Sequence, residues 1–285
     1  MKNIFLEDFN LDILIALIKN VGLEVMEIYE SNDFQTTYKS DNTPLTKADL
    51  ITNNLLCKSL KELYPKIPII SEESTLPSFE SLETCEFFWC LDPIDGTKEF
   101  IKKSGEFTIN IGLVYKGLPV LGLVYAPVFK KLYFAKAGEG AFLELDDLLF
   151  TLPLKSQVEE QIKNKNTKEF KILASKNNLN IQTQDFINSI KISNKILVQK
   201  GSSLKLCEVA SGEGDIYPKF STTMCWDTCA SHAILLECKK DIFIYKQEVP
   251  NINSKESRYS VSELIENDFK NQNFLACSKD ALKFI

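Results

Sequence analysis

Residues 108–142 hold three β-prone runs, TINIGLVY, VLGLVYAP and KLYFA, broken by Lys-Gly, Ala-Pro and Gly-Glu-Gly turn signals. Connections this short join antiparallel neighbours, so the segment reads as an antiparallel meander. Before it, residues 9–30 read as an amphipathic helix, with Leu11, Leu14, Ile15, Ile18, Val21, Val25 and Met26 near 3.6-residue spacing. A second helix is expected from Thr46 to about Leu63, with Ile51, Leu55 and Leu56 inward, and buried strands at 67–70 and 87–91. The polar stretch over 150–169 reads as a surface connection. Beyond it strands and helices alternate: FKILA, a helix over 181–190, KILVQ, a helix from Ser203, DIYP, a helix from Asp227, DIFIY and FLACS. That alternation predicts a layered α/β fold in two halves, 1–150 and 151–285.

The 285 residues allow one or two intimately packed domains. There is no run of 18 apolar residues to span a membrane, and the acidic start MKNIFLEDFN lacks the pattern of a signal peptide. A cytoplasmic protein is expected. Peripheral association with the inner membrane is compatible with the sequence, although no basic amphipathic helix requires it. A formal charge of −6 argues against nucleic acid as a partner but not against a small anion, because a bound cation and a few lysines can reverse the field in one cleft. Eight cysteines with no C-x-x-C pair, beside the single His232, predict reduced thiols rather than a zinc site. Oligomeric state is not readable.

The densest chemical signal is W-C-L-D-P-I-D-G-T-K-E-F over residues 89–100. An apolar strand ends at Leu91, and Pro93 and Gly96 turn the chain so that Asp92, Asp95 and the Ile94 carbonyl can converge. Hard cations such as Mg²⁺ take such all-oxygen shells. A plain D-P-x-D-G turn is the competing reading. Glu72 and Glu73 follow a second buried strand, where solvated surface is the alternative. Asp227 stands at an expected helix start, where it could simply cap. Asp49 has capping-box spacing from Thr46 and could both cap and function. Three carboxylate clusters at element ends fit a metal site better than three coincidences.

These residues sit in motifs that resemble the inositol monophosphatase-like, lithium-sensitive phosphatase superfamily, and within it the 3′(2′),5′-bisphosphate nucleotidases of the CysQ type. The shared elements are P-L-T-K-A-D, S-E-E-S, W-x-L-D-P-I-D-G-T-K-E-F-I, G-E-F-T-I-N-I, L-G-L-V-Y-A-P-V, G-S-S-L-K and W-D-T-x-A-x-H-A, in family order from about residue 44 to 235. The resemblance weakens over 145–170 and after 245. It implies an α-β-α-β-α sandwich with two or three Mg²⁺ ions where the halves meet. Glu72, Asp92, the Ile94 carbonyl, Asp95 and Asp227 look like the metal shell. Thr97 with Asp49 looks like the pair that orients and deprotonates the attacking water, with Glu72 beside it. Asp95, Asp227 and the N–H groups of Gly96 and Thr97 would face the scissile phosphate.

The physical logic agrees: phosphoryl transfer asks for positioning and positive charge rather than a protein nucleophile. His232 is then expected to be structural. Lys98-Glu99 resembles the nucleotidase branch rather than inositol phosphatases. Ser202, Lys205 and Lys219 look like the pocket for the nucleoside and its second phosphate, although 203–210 would equally be a capped helix. Relatives often carry Arg for Lys219 and His for Asn178, and a lysine loses the bidentate fork. The resemblance implies hydrolysis of adenosine 3′,5′-bisphosphate, a small phosphorylated nucleotide, to AMP and phosphate. An inositol or broad sugar phosphatase is the alternative, and a non-catalytic nucleotide-phosphate sensor a remote one.

Overall fold

The computed structural model describes residues 6–83, 85–154, 169–176, 179–246 and 259–285. Helix α1, Leu11–Ser31, begins one residue after Asn10, whose side chain accepts from the Ile13 N–H at 3.2 Å; that cap sets the boundary expected at residue 9. A short ribbon of β1 (Thr37–Tyr38) and β2 (Pro44–Leu45) leads into α2, Lys47–Leu63, with Thr46 as its N-cap. Then come β3 (Ile69–Ser71), α3 (Phe79–Glu83), β4 (Phe87–Asp95) and α4 (Thr97–Ile101). The meander is β5 (Thr108–Tyr115), β6 (Leu118–Ala126), β7 (Lys131–Lys136), β8 (Gly140–Leu145) and β9 (Leu148–Leu152). It therefore runs past the expected end at 142. Asp146 and Asp147, at φ 47° and 64°, turn β8 into β9 with the two-residue geometry that Asp tolerates.

The remaining elements are β10 (Phe170–Ser175), α5 (Ile181–Ser189), β11 (Lys195–Lys200), α6 (Leu204–Ser211), β12 (Ile216–Lys219), α7 (Cys229–Glu237), β13 (Lys240–Ile244), α8 (Val261–Glu266) and β14 (Phe274–Ser278). Two larger sheets result, in the orders β3-β4-β5-β6-β7-β8-β9 and β11-β10-β12-β14-β13. Helices α1 and α2 bury Leu14, Ile18, Val21, Leu56 and Leu60 against one face of the first sheet, with Trp89, Ile109, Ile111 and Leu123. Helices α6 and α7 lie between the sheets, packing Cys207, Val209 and Ile234 on Val124 and Tyr133 below and on Tyr217 and Ala276 above. Helix α5 covers the far face through Phe186 and Ile187. This is the expected α-β-α-β-α layering. Most of the expected connection over 150–169 lies outside the described residues. Among the described residues no helix is long and apolar enough to cross a membrane, and none of the eight cysteines is joined in a disulfide.

Two features position the site. Strands β3 and β4 are the parallel pair of the first sheet, Ser71 opposite Leu91, so the chain leaves both at the same end and Glu72 follows beside Asp92. Strand β4 does not stop at Leu91 as expected: Asp92 pairs with Asn110 and Asp95 with Thr108, with a bulge at Pro93-Ile94 between. Proline has no N–H for the ladder, and a bulge re-aims the flanking side chains. The second feature is the cross-strand pair Gly112 and Gly122. A Cβ on Gly122 would sit 1.9 Å from the Ala230 carbonyl oxygen, and one on Gly112 would sit 2.7 Å from Cys229 Sγ. Only glycine lets the start of α7 approach the sheet this closely, and Asp227 precedes that start by two residues.

Candidate active site

An open cleft of about 250 Å³ is lined by Glu72, Asp92, Ile94, Asp95, Gly96, Thr97, Ser202, Lys205, Lys219 and Asp227, among others. The sequence-expected residues thus meet in one place, with Asp49 buried behind Thr97. Carboxylate oxygens of Glu72, Asp92 and Asp227 lie within 4.8 Å of one another. Asp92 is 1% exposed and neither of its oxygens has a hydrogen-bond partner. A buried, unbonded carboxylate is among the costliest arrangements in a protein. Burial, compounded by Glu72, Asp95 and Asp227, pushes its pKa well above the carboxylate range. Burial raises Glu72 too, and burial with Asp95 and Glu72 pushes Asp227 up to about 8. A divalent cation among these oxygens would remove both burdens, and hard oxygens are the donors Mg²⁺ prefers. The residues fit a metal.

Asp95 is tied differently. Its Oδ2 accepts from Ser202 Oγ at 2.8 Å, Ser203 N at 2.6 Å and Ser203 Oγ at 2.7 Å, leaving Oδ1 as the oxygen that could join a metal shell. Ser202 Oγ also meets Thr108 Oγ1 at 2.6 Å, so its hydroxyl serves Asp95 and β5. Asp227 is not at the start of a helix as expected. It closes a 3₁₀ turn, Cys225–Asp227, and its Oδ2 accepts from the Met224 N–H at 2.9 Å; α7 begins at Cys229.

Asp49 has both roles that its spacing allows. Its Oδ2 accepts from Thr46 N at 2.7 Å and Thr46 Oγ1 at 2.5 Å, closing the capping box of α2. Its Oδ1 accepts from Thr97 Oγ1 at 3.1 Å, and the same hydroxyl is 3.3 Å from the Ile94 carbonyl oxygen. Burial raises Asp49 despite the three donors. Gly96 sits at φ 92°, and a Cβ there would lie 3.2 Å from the Glu106 carbonyl oxygen, so glycine is required. It caps α4, whose first N–H groups have no partner within the helix.

On the opposite wall, Lys205 spends its ammonium on the loop, donating to Ser202 O at 2.5 Å and Lys200 O at 3.3 Å. Burial lowers it to about 8. Lys219 is 7% exposed, and its ammonium has no hydrogen-bond partner among the described residues. Burial lowers its pKa, against the opposing pull of Asp227 and Asp95. Asn178 lies outside the described residues. His232 is structural as expected, buried in α7 with Nε2 2.8 Å from Asp241 Oδ1.

Sequence reasoning missed Lys39, whose ammonium bridges Glu72 Oε1 at 2.7 Å and Glu73 Oε1 at 2.6 Å. Burial pulls its pKa down, but the two glutamates outweigh that and hold it charged. Also missed were two asparagines. Asn53 on α2 donates to Glu73 O and Ser74 Oγ and accepts from Ser71 Oγ at 2.7 Å, gripping the turn that carries Glu72. Asn110 on β5 donates to Ser203 Oγ at 3.0 Å, behind Asp95. Lys39 follows a two-residue strand and Asn53 sits inside a helix with no motif around it, while Asn110 lies in the G-E-F-T-I-N-I element but had been given no role.

A pH dependence follows. In chelator, Asp227 ionises in the unfolded chain near 4 but in the fold only near 8, and burial raises Glu72 and Asp92 in the same direction. The folded state then binds more protons than the unfolded one across that window, so stability falls as pH rises from about 4 to about 8. Melting temperature in EDTA is expected to drop between pH 5 and pH 8, and Mg²⁺ to restore more of it at pH 8. A flat EDTA profile would remove the electrostatic account of the cluster.

The Inositol monophosphatase family model matches residues 8–280. A Buchnera aphidicola protein named 3′(2′),5′-bisphosphate nucleotidase CysQ is 38% identical over 227 residues, 79% of this chain and 81% of that protein. The Escherichia coli K12 protein of the same name is 35% identical, over 79% of this chain and 86% of its own length. The crystal structure of CysQ from Bacteroides thetaiotaomicron is similar with a TM-score of 0.71 at 33% identity, covering 93% of this chain and 95% of that one. An inositol monophosphatase from Thermotoga maritima, 20% identical, shares the fold with a TM-score of 0.72.

Proposed function

The chain belongs to the inositol monophosphatase family, and from that premise we propose that it is a Mg²⁺-dependent phosphatase that hydrolyses adenosine 3′,5′-bisphosphate to AMP and phosphate. The observation that carries the reading is the pairing of two unmet demands across one cleft. Asp92, buried and unbonded beside Glu72 and Asp227, calls for cations; Lys219, buried and unpartnered opposite, calls for an anion. Mg²⁺ answers the first and draws one phosphate to the cleft, and a second phosphate on the same substrate answers the other. The nucleotidase names of the relatives support the nucleotide.

Glu72, Asp92, the Ile94 carbonyl, Asp95 and Asp227 would hold the metal. Their four carboxylates carry more charge than one Mg²⁺ balances, which supports two or three ions. Bound there, Mg²⁺ would neutralise phosphate charge and make water a competent nucleophile at neutral pH. The chain's own residues do the rest. The Thr97 hydroxyl points its proton at Asp49 Oδ1, which leaves the oxygen lone pairs to accept from and orient the water. Asp49, raised by burial, is the stronger base for it and is held in place by Thr46. The N–H groups of Gly96 and Thr97 receive the phosphate being cleaved. In this reading residues 1–150 supply most ligands, and 151–285 supply Asp227 and the second-phosphate wall of Ser202, Lys205 and Lys219. Lys219 makes the direct contact, because Lys205 is engaged by the carbonyls of Lys200 and Ser202.

The test is phosphate release with Mg²⁺ from adenosine 3′,5′-bisphosphate, inositol 1-phosphate and fructose 1,6-bisphosphate in parallel. The nucleotide should have the highest kcat/KM, and equal or better turnover of inositol 1-phosphate would sink the substrate assignment. Lys219→Ala removes a charge-assisted contact of about 1.5–3 kcal/mol, a loss of roughly ten- to a hundredfold in kcat/KM. That loss should be nearly absent with adenosine 3′-monophosphate. An equal loss on both would assign Lys219 to the fold.

A further inference from the structure

We propose that Asn271 is a positioning residue for Asp227, acting from a segment that carries none of the recognisable motifs. The peptide groups of Met224 hold the 3₁₀ turn that presents Asp227: its N–H donates to Asp227 Oδ2 at 2.9 Å, and its carbonyl accepts from Asp227 N at 3.1 Å. That same carbonyl accepts from Asn271 Nδ2 at 2.6 Å. The Asn271 amide also lies 3.2 Å from both Thr223 Oγ1 and Thr228 Oγ1, and the Asn271 N–H donates to Thr223 O at 2.8 Å. Beside it, Cys225 N donates to Phe269 O at 2.8 Å, and Met224 and Lys270 form an antiparallel bridge. Residues 269–271 therefore grip the turn from Thr223 to Thr228 on both sides of Asp227.

The grip is itself anchored. Thr228 Oγ1 meets Tyr259 Oη at 2.9 Å, and Tyr259 is 1% exposed. Tyr259 Oη is 3.4 Å from His232 Nδ1, whose other ring nitrogen meets Asp241. One hydrogen-bonded line thus runs from β13 through α7 to the turn, and Asn271 joins it to the backbone that aims Asp227. Groups that orient a metal ligand in this way typically govern metal affinity by about 10–100-fold.

The inference rests on Asp227 being a metal ligand and not on the identity of the substrate. Its test is calorimetric titration of the full-length chain with Mg²⁺ alone, without substrate. Asn271→Leu, with the same number and branching of side-chain heavy atoms but without donors, should bind Mg²⁺ at least tenfold more weakly than the wild type. Its kcat should largely recover at saturating Mg²⁺. Tyr259→Phe, which deletes only the hydroxyl, should shift affinity in the same direction by less. Leu282→Val is the control, since Leu282 belongs to the cluster of Phe186 and Ile216 and not to the one that holds Cys225 and Trp226, and it should lower the melting temperature at unchanged Mg²⁺ affinity. Should Asn271→Leu fail to fold, Asn271→Ser gives the same reading. Wild-type affinity in the Asn271 variant, at whatever melting temperature, overturns the proposal. A wild-type chain that binds no Mg²⁺ overturns both this and the metal reading of the cleft.

Discussion

Asp92→Asn is expected to lower kcat/KM by about 10³-fold or more, roughly 4 kcal/mol of transition-state stabilisation, while making the metal-free protein more stable at pH 8. The two effects have one cause. Asp92 is buried among Glu72, Asp95 and Asp227 with no donor on either oxygen, so its charge is useful only when a cation is present. Asparagine keeps the shape, drops the charge and can donate to the carboxylates within reach. In chelator at pH 8 the variant should melt above the wild type. At pH 5, where Asp227 is already protonated, the two curves should draw together. Near-normal turnover, or a variant that melts lower at pH 8, would show that Asp92 is not the centre of the metal demand.

Thr97→Ala is the second large effect, with kcat falling by about 10²–10⁴-fold while KM and Mg²⁺ affinity stay near their wild-type values. The substitution deletes one hydroxyl and leaves its neighbours in place. Asp49 remains fixed through Oδ2 by the Thr46 capping box, so α2 keeps its start and the fold should hold. Asp49→Ala is a poorer probe, because it also removes the acidic half of the α2 capping box and leaves the Thr46 N–H without its acceptor. Thr97→Ser retains the hydroxyl and should recover most of the rate. A loss confined to KM would make Thr97 a binding group instead.

Local chemistry was written within a few residues and could be read there. The pairing of Asp49 with Thr46, the Gly96 turn, the apolar period of α1 and the short links of the meander each depend on neighbours less than one helical turn or hairpin away. The D-P-I-D-G-T run, read with the Glu72 and Asp227 motifs, sufficed to propose where a metal would sit, while the hydroxyl that would face the water was named only through the family resemblance. Where sequence reasoning went wrong, a contact from elsewhere had intervened. Strand β4 continued past Leu91 because Asn110 and Thr108 were there to pair with Asp92 and Asp95 across the bulge. The helix expected at Asp227 began at Cys229, as residues 269–271 and Met224 hold the preceding turn as 3₁₀.

The division follows from what each kind of information can specify. By itself the sequence determined the layered α/β architecture, the elements that end in carboxylates and the residue types a metal and a phosphate require, because turns, caps and periodicity act over short separations. Only the tertiary structure decided which carboxylates meet. Glu72, Asp92 and Asp227 are brought within 4.8 Å by the parallel register of β3 on β4 and by the close seat of α7 on Gly112 and Gly122. It also decided what each side chain is free to do. Asp95 is claimed by Ser202 and Ser203, Lys205 by the carbonyls of its own loop, and Lys219 is left unpaired over the cleft. A lysine, serine or asparagine reads the same in sequence whether it binds a substrate or a carbonyl, since hydrogen-bonding capacity is set by the residue but its use is set by whatever the fold places within 3 Å.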